Sequence, residues 1–394
     1  MTLVARTVRS SLLKPTAINT ILAEVRQLWA RGEPVISLMR GEPDFRTPQH
    51  IIDAATSALE AGRTGYPDQR GEKGLRDAVA LKLASENGLT YDPATEILIT
   101  TGATLGIQTA LMATINDGDG VLLPDPVYDA YQSPVRLAGG IVQPVRAPIM
   151  LDRFVLTRDA LEAAVTPTSR VLVLNTPWNP VGTVFRDTEL WDIADFVIRH
   201  DLLLLSDEIY EAIVYDDHRH VSPASLSPDI AARTILINSL SKTYAMTGWR
   251  VGYCAGPSSL ISAMLLVLQQ SSRGPATFVQ DAATIALSQS QDCVQEMVSE
   301  YARRRTQVLT TLNGLPHARV LAPEGGFFAM LDVRDTGLTS DEIRRRLLHE
   351  HGVAVVHGSA YGPGGEGTLR VSFASGGDTL ADGLDRLAQG LARL

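Results

Sequence analysis

Short runs of Val, Leu and Ile alternate with amphipathic helical patterns through the middle of the chain, and this alternation constrains the fold most. The segment 187–200 has a helical pattern, and its acid and threonine at the start are typical of a helix N-terminus. Apolar strands separated by helices indicate a parallel sheet covered on both faces. We therefore predict a doubly wound, mostly parallel α/β domain. Its predicted strands are 96–101, 120–123, 141–145, 170–174, 202–206 and 235–239.

The C-terminal part has a different pattern, in which strands and helices are mixed. A helix over 339–351 is predicted from a Thr339 or Ser340 cap and from Gly352 as its stop. Such mixing indicates a smaller α+β domain. Strand patterns cover 326–333, 353–356 and 368–373, and a last helix begins near Asp378. The predicted division is 1–48 as an N-terminal arm and part of the small domain, 49–285 as the large domain, and 286–394 as the small domain.

Charge and cysteine content exclude several classes of protein. The 35 basic and 44 acidic side chains give a net charge of -9, which argues against bulk capture of nucleic acid or anionic lipid. The two cysteines, Cys254 and Cys293, encode neither a disulfide framework nor a thiolate metal site. We therefore expect no bound metal. We find no secretion signal and no apolar run long enough for a membrane helix, so we expect a cytoplasmic protein.

Lysine is scarce in a chain that otherwise uses arginine for positive charge. Among 35 basic residues the lysines are Lys14, Lys73, Lys82 and Lys242, so that Lys242 stands alone after residue 82. Arginine cannot replace lysine where a nucleophilic amine is needed, because the guanidinium stays protonated. Lys242 also follows an apolar strand, which favours a functional lysine over a solvated surface lysine.

Other polar residues follow the remaining strands, where open α/β sheets bind ligands. The turn before Ala103 and Thr104 suits a phosphate, although it also suits plain strand-to-helix chemistry. Asp207 ends an apolar strand and needs either a cation or a helix to cap. The other candidates at strand ends are Tyr128, Asn179, Tyr210, Ser239 and Arg250.

Together these residues fit pyridoxal phosphate, which needs an amine, an acid at its ring nitrogen and donors for its phosphate. Lys242 supplies the amine for a Schiff base, and Asp207 keeps the ring nitrogen protonated. Asn179 and Tyr210 form hydrogen bonds with the ring hydroxyl, and Tyr128 stacks on the ring. The predicted phosphate ligands are Ser239, Arg250, Ala103 and Thr104.

The same residues lie in segments by which the chain resembles class I/II pyridoxal-phosphate aminotransferases of fold type I over nearly its whole length. The matching segments are 41–45, Tyr66 with Gly71 and 75–76, 101–104, 124–131, 175–182, 206–210, 239–253, 325–328 and 369–373.

The resemblance implies how substrates bind and react. Arg370 would bind the substrate α-carboxylate, assisted by Asn179 and the backbone at Gly41. Tyr66 would reach the phosphate of a neighbouring subunit, so that each active site requires a homodimer. The freed amine of Lys242 would move a proton, and the amino group would pass from an L-amino acid to a 2-oxo acid such as pyruvate or 2-oxoglutarate.

The chain departs from dicarboxylate-specific relatives, because its segment 102–105 lacks their lysine. Arg40 and Arg273 lie instead in segments that border the pocket in relatives. One of them would meet an acidic or hydroxylated substrate side chain, or both are ordinary arginines in an arginine-rich chain. The segments 215–226, 239–252 and 325–362 resemble arginine–pyruvate transaminases more than aspartate ones.

Three rival functions differ in what they require. A pyridoxal-phosphate lyase or decarboxylase shares the same fold and cofactor residues, so it is the main alternative. A regulatory protein with this fold would need a helix-turn-helix extension, whereas only 40 residues precede Gly41. A nicotinamide dehydrogenase would need a G-x-G-x-x-G turn after the first strand, and none occurs there.

Overall fold

The computed structural model describes residues 15–394 and, before them, Thr7, Ser11 and Leu13. The rest of the predicted N-terminal arm therefore lies outside the described residues. In the described part, a seven-stranded sheet has the order β2-β10-β9-β8-β7-β3-β4. Its strands are β2 (Ile97–Thr100), β3 (Gly120–Asp125), β4 (Ile141–Arg146), β7 (Ser169–Asn175), β8 (Leu203–Asp207), β9 (Thr234–Ser239) and β10 (Gly252–Ala255).

The predicted strands of this sheet are confirmed, with ends shifted by a residue or two. Neighbouring strands pair in parallel except at β10, which is antiparallel to both β2 and β9. The sequence patterns did not predict β10, since it is short and follows a glycine within the Lys242 motif. The chain is thus an α/β protein with a mostly parallel sheet, as predicted.

Helices cover both faces of the sheet. Their apolar stripes explain this, as Leu190, Ile193 and Val197 of one helix are buried against the sheet. The helices are α1 (Ala17–Ala30), α2 (Gln49–Glu60), α3 (Lys73–Asn87), α4 (Gly102–Thr114), α5 (Gln132–Leu137), α6 (Arg158–Ala164), α7 (Asp187–Arg199), α8 (Pro228–Ala231), α9 (Leu240–Thr243), α10 (Ser258–Ser271), α11 (Thr277–Ser288), α12 (Asp292–Leu312), α13 (Ser340–His351) and α14 (Gly377–Leu391). Between residues 15 and 394, no helix is long and apolar enough to cross a membrane.

A second sheet lies in the C-terminal part, with the order β11-β12-β15-β14. Its strands are β11 (Arg319–Leu321), β12 (Phe328–Asp332), β14 (Val356–His357) and β15 (Thr368–Ser372). As predicted, Thr339 caps α13 and Gly352 ends it in a left-handed conformation with φ 63°. The predicted strand 353–356 is instead two strands, β13 (Val353–Ala354) and β14.

The N-terminal segment joins this C-terminal part through β1 (Ile36–Ser37), which pairs in parallel with β13. Two further short strands, β5 (Ile149–Met150) and β6 (Arg153–Phe154), form a separate hairpin. The pairing of β1 with β13 supports the inclusion of 1–48 partly in the small domain. We keep the boundaries at residues 48 and 285 as a proposal.

Candidate active site

The carboxyl ends of β7, β8 and β9 face a cavity of about 1110 Å³. The cavity also reaches α1, α4 and the segment before α2. It brings together most of the residues that the sequence patterns singled out. Those that line it are Arg40, Gly41, Ala103, Thr104, Tyr128, Asn179, Asp207, Tyr210, Lys242, Arg250 and Arg370.

Lys242 lies on α9, the single helical turn that follows β9. Ser239 caps this turn by accepting a hydrogen bond from Ser241 N, which fixes where the turn begins. The Lys242 Nζ donates to the Gly41 carbonyl oxygen at 2.6 Å. Burial lowers the pKa of Lys242 to about 8, although nearby Glu42 opposes the shift. Such an amine is partly neutral at physiological pH and is therefore a competent nucleophile and base.

Asp207, the last residue of β8, is buried at the floor of the cavity. Tyr131 Oη donates to its Oδ2 at 2.5 Å, and Ile209 N donates to its Oδ1 at 3.3 Å. Burial raises the pKa of Asp207 to about 6 despite these hydrogen bonds. A buried carboxylate of this kind is stabilised by a cationic partner, such as a protonated ring nitrogen.

Asn179 and Tyr210 lie side by side beside Asp207. Asn179 Nδ2 donates to Tyr210 Oη at 3.4 Å, and the Asn179 backbone N–H donates to Asn175 Oδ1 at 2.7 Å. Burial raises the pKa of Tyr210 well above its usual range, so this phenol is neutral. The pair therefore presents an amide and a neutral hydroxyl to the cavity.

Gly102 and Arg250 meet at the N-terminus of α4. Gly102 has φ +76°, and a Cβ built on it would lie 2.5 Å from the Arg250 guanidinium nitrogen Nη2. Arg250 itself adopts a left-handed conformation with φ 55° and donates to the Thr247 carbonyl oxygen at 2.9 Å. The helix end and the guanidinium thus meet closely, which suits an anion.

Arg370 projects from β15 between two aromatic rings. Its guanidinium carbon lies 4.1 Å from the Phe328 ring centre and 5.1 Å from that of Tyr361. Nη2 donates to the Met39 carbonyl oxygen at 3.1 Å, whereas the buried Nε has no hydrogen-bond partner among the described residues. The side chain is therefore held in place with donor capacity left for a carboxylate.

Three predicted site residues do not line this cavity. The Ser239 hydroxyl donates to the Val251 carbonyl oxygen at 2.9 Å, and Ser241 lines the cavity in its place. Tyr66 is 87% exposed, and the Arg273 guanidinium lies 5.6 Å from its ring centre. Tyr66 and Arg273 thus form a pair on the surface of the chain.

Arg40 lines the cavity, but its charge is offset. Its Nη2 lies 3.6 Å from Glu42 Oε1 and donates to the Pro43 carbonyl oxygen at 3.3 Å. Glu42 also accepts a hydrogen bond from the Thr247 hydroxyl at 2.9 Å. The role of Arg40 toward an acidic substrate stays a prediction, as does that of Arg273.

The sequence patterns did not predict that Tyr131 contacts Asp207. The segment that contains Tyr131 matched the family pattern, yet only Tyr128 received a role. The position of Tyr131, one helical turn after Tyr128, was the available signal. The two rings pack edge to face with centres 5.6 Å apart, which aims the Tyr131 hydroxyl at Asp207.

The polar groups of the cavity fit pyridoxal phosphate. Asn179 Oδ1 and Arg370 Nε are buried and lack partners within the described part of the chain, so a ligand is needed to satisfy them. Gly102 keeps open the space that a Cβ would fill against Arg250. One amine, one buried acid and one anion site match the aldehyde, ring nitrogen and phosphate of that cofactor.

A mostly parallel sheet with a lysine, an acid and an anion site at its strand ends is typical of pyridoxal-phosphate enzymes of fold type I. A model of the family "Aminotransferase class I and II" matches residues 33–388. The chain belongs to this family, whose members are pyridoxal-phosphate enzymes, and it is an amino-acid aminotransferase.

Relatives with different named activities have comparable sequence identities to this chain. It is 43% identical over 373 residues to an aspartate aminotransferase of Pyrococcus abyssi, covering 93% of this chain and 94% of the relative. It is 37% identical over 374 residues to an arginine–pyruvate transaminase of Pseudomonas aeruginosa, covering 95% and 93%. The solved aspartate aminotransferase of Rhizobium meliloti superposes with a TM-score of 0.95 at 36% identity, covering 99% and 100%. Full-length identity thus does not favour the arginine–pyruvate type.

Proposed function

We propose that this aminotransferase binds pyridoxal phosphate on Lys242 and transfers amino groups from an L-amino acid to a 2-oxo acid. The observation that carries the proposal is a lysine of lowered pKa in one cavity with the buried acid Asp207 and the carboxylate-binding candidate Arg370. The acceptor is proposed to be pyruvate or 2-oxoglutarate, and the cytoplasm stays the expected compartment.

Side chains and backbone from several strand ends would hold the cofactor. Asp207 would contact the ring nitrogen, and its raised pKa fits a carboxylate that lacks its cation. Asn179 and Tyr210 would bond the ring hydroxyl, while Tyr128 would pack against the ring. The phosphate would be held by Ala103, Thr104 and Arg250, with Ser241 and the predicted Ser239 near them.

Bound pyridoxal phosphate supplies an aldehyde for the amino group and a ring that accepts electrons. The residues of the chain then orient the substrate and move a proton. Arg370 would bind the α-carboxylate and so fix the position of the Cα–H bond. Lys242 Nζ, neutral in part because burial and the positive charges of Arg250 and Arg370 lower its pKa, would take the proton from Cα and return it at another carbon.

A homodimer with shared sites is part of the proposal. Tyr66 is a large aromatic residue that is 87% exposed, although aromatic rings are usually buried. Its cation–π contact with Arg273 holds the ring at the surface. An exposed tyrosine of this kind suits a residue that binds the phosphate in the partner subunit's site.

Replacement of Lys242 tests this function. We expect Lys242→Ala to lose at least about a thousandfold in turnover while it still binds pyridoxal phosphate non-covalently. Lys73→Ala is the matched control, because the Lys73 side chain is 80% exposed and lies outside the cavity. Full activity in Lys242→Ala would overturn the assignment.

A further inference from the structure

The side chain of the amino donor must meet the charges of the cavity that the proposed function leaves unassigned. Asp207, Lys242 and Arg250 face the cofactor in that proposal, and Arg370 faces the α-carboxylate. The charged residues that also line the cavity are Arg40, Glu42 and Asp129. The inference that follows rests on the proposed function.

Arg40 and Glu42 offset one another. Their charged atoms lie 3.6 Å apart, and each also has a neutral partner, Pro43 O for Arg40 and the Thr247 hydroxyl for Glu42. This pair adds no net charge to the cavity. Asp129 therefore decides the sign of the field that a substrate side chain meets.

Asp129 opens a short 3₁₀ turn, Asp129–Tyr131, directly after the ring-stacking candidate Tyr128. Burial raises the pKa of its carboxyl, while the Thr16 hydroxyl and the charge of Arg370 lower it. No cationic nitrogen of the described residues lies within 4.0 Å of its carboxylate. Among the described residues this partly buried carboxylate therefore has no ion-pair partner, and a cation brought by the ligand would stabilise it.

We propose that Asp129 is a specificity-determining residue that binds the cationic end of the amino donor's side chain. The structure assigns basic L-amino acids, with a guanidinium or ammonium end, as the favoured donors. Arg370 and Asp129 line the same cavity, so the α-carboxylate and the side-chain cation of one ligand would both be bound within it. A dicarboxylic donor would instead bring a second carboxylate against Asp129, which is repulsive.

The test compares L-arginine with L-citrulline, which has the same shape but a neutral urea group. Single-turnover conversion of the pyridoxal-phosphate-loaded enzyme is followed by the loss of visible absorbance. We expect wild type to prefer arginine by at least about 30-fold in kcat/KM, as expected for a desolvated charge pair. In Asp129→Asn the ratio should fall below about threefold. Because both substrates are measured on one preparation, any loss of folded enzyme cancels from the ratio.

Asp192→Asn is the matched control, since Asp192 is exposed on α7 and does not line the cavity. It should keep the wild-type ratio. An unchanged ratio in Asp129→Asn, or no preference for arginine in wild type, overturns the inference. A preference for L-glutamate overturns it in favour of Arg40 or Arg273. L-Alanine distinguishes failure of the Asp129 inference from failure of the proposed function. Conversion of L-alanine upholds the proposed function, whereas failure of every amino acid to convert contradicts that function.

Discussion

Tyr131 Oη donates a 2.5 Å hydrogen bond to Asp207 Oδ2. The bond joins the 3₁₀ turn after β3 to the last residue of β8, so it fixes the acid at the floor of the cavity. It does not remove the cost of burying the charge, because the pKa of Asp207 is still about 6. The site is therefore built to receive a positive group. Until that group binds, the buried charge of Asp207 destabilises the folded protein.

This cost predicts that Asp207→Asn stabilises the cofactor-free protein at neutral pH. The pKa is raised by folding from 3.8 to about 6, so the stabilising contribution is complete below pH 3.8 and is lost as the pH rises through about 6. This pKa difference between the unfolded and folded states corresponds to about 3 kcal/mol of unfolding free energy lost at pH 7.5. Urea unfolding without cofactor should show this gain in Asp207→Asn, and the gain should vanish near pH 4 while transamination is lost.

The exposed Asp192→Asn variant should change stability by less than about 0.5 kcal/mol at either pH. A cofactor-free Asp207→Asn protein that is less stable than wild type at pH 7.5 would contradict this account of the acid.

A second prediction concerns the close approach of Gly102 to Arg250. An alanine at 102 combines a left-handed φ of +76° with a Cβ 2.5 Å from the guanidinium, so α4 or Arg250 must shift. We expect Gly102→Ala to weaken pyridoxal-phosphate binding at least about tenfold, which equilibrium dialysis measures. Gly74→Ala on α3 is the control, because no atom outside its chain neighbours and the backbone of its own helix lies within 4 Å of the point where its Cβ would stand. Equal affinities in the two variants would argue against an anion site here.

Site residues at the ends of parallel strands could be predicted from the sequence, whereas contacts between distant segments of the chain could not. Lys242, Asp207 and Asn179 lie at or just after the carboxyl ends of parallel strands, which meet at one edge of the sheet, so their meeting was predictable. The contact of Tyr131 with Asp207 links the turn after β3 to β8, and these two strands are not neighbours in the sheet. Strand β10 also escaped prediction, because its four residues, which lie close after the Lys242 motif, are too few to show a hydrophobic pattern.

A third prediction tests the proposed sharing of active sites in a homodimer through subunit exchange. Lys242→Ala and Tyr66→Ala homodimers should both be impaired, the first in turnover and the second in cofactor affinity. Mixed and re-dimerised, they should form heterodimers in which one site combines an intact Lys242 with the intact Tyr66 of the other subunit. Random exchange restores about a quarter of the sites. Activity that does not rise on mixing would mean that Tyr66 acts within its own subunit or not at all.

A buried network behind the site leads to a fourth prediction. Lys82, only 6% exposed in its side chain, contacts Glu211 and donates to Asn87 Oδ1 at 2.8 Å. Asn238 Nδ2 donates to Glu211 at 2.6 Å, and Asn238 Oδ1 accepts from Ser239 N at 2.7 Å. Lys82→Met leaves the Glu211 charge buried without its cation, so urea unfolding should show a loss of about 3–5 kcal/mol.

The control for Lys82 is Lys73→Met, in which an ion pair with Asp77 is lost from a lysine that is 80% exposed. We expect a loss of less than about 1 kcal/mol there. Equal stabilities of the two variants would contradict the structural role of Lys82, which the scarcity of lysine did not by itself reveal.

The central claim is that this chain moves amino groups by means of Lys242 and bound pyridoxal phosphate. The most direct measurement follows the visible absorbance of the loaded enzyme as single L-amino acids are added without a 2-oxo acid, together with analysis of the products. We predict conversion to the pyridoxamine form with release of one 2-oxo acid per site. Release of carbon dioxide or ammonia, with the cofactor left unconverted, would contradict the claim and indicate a decarboxylase or lyase.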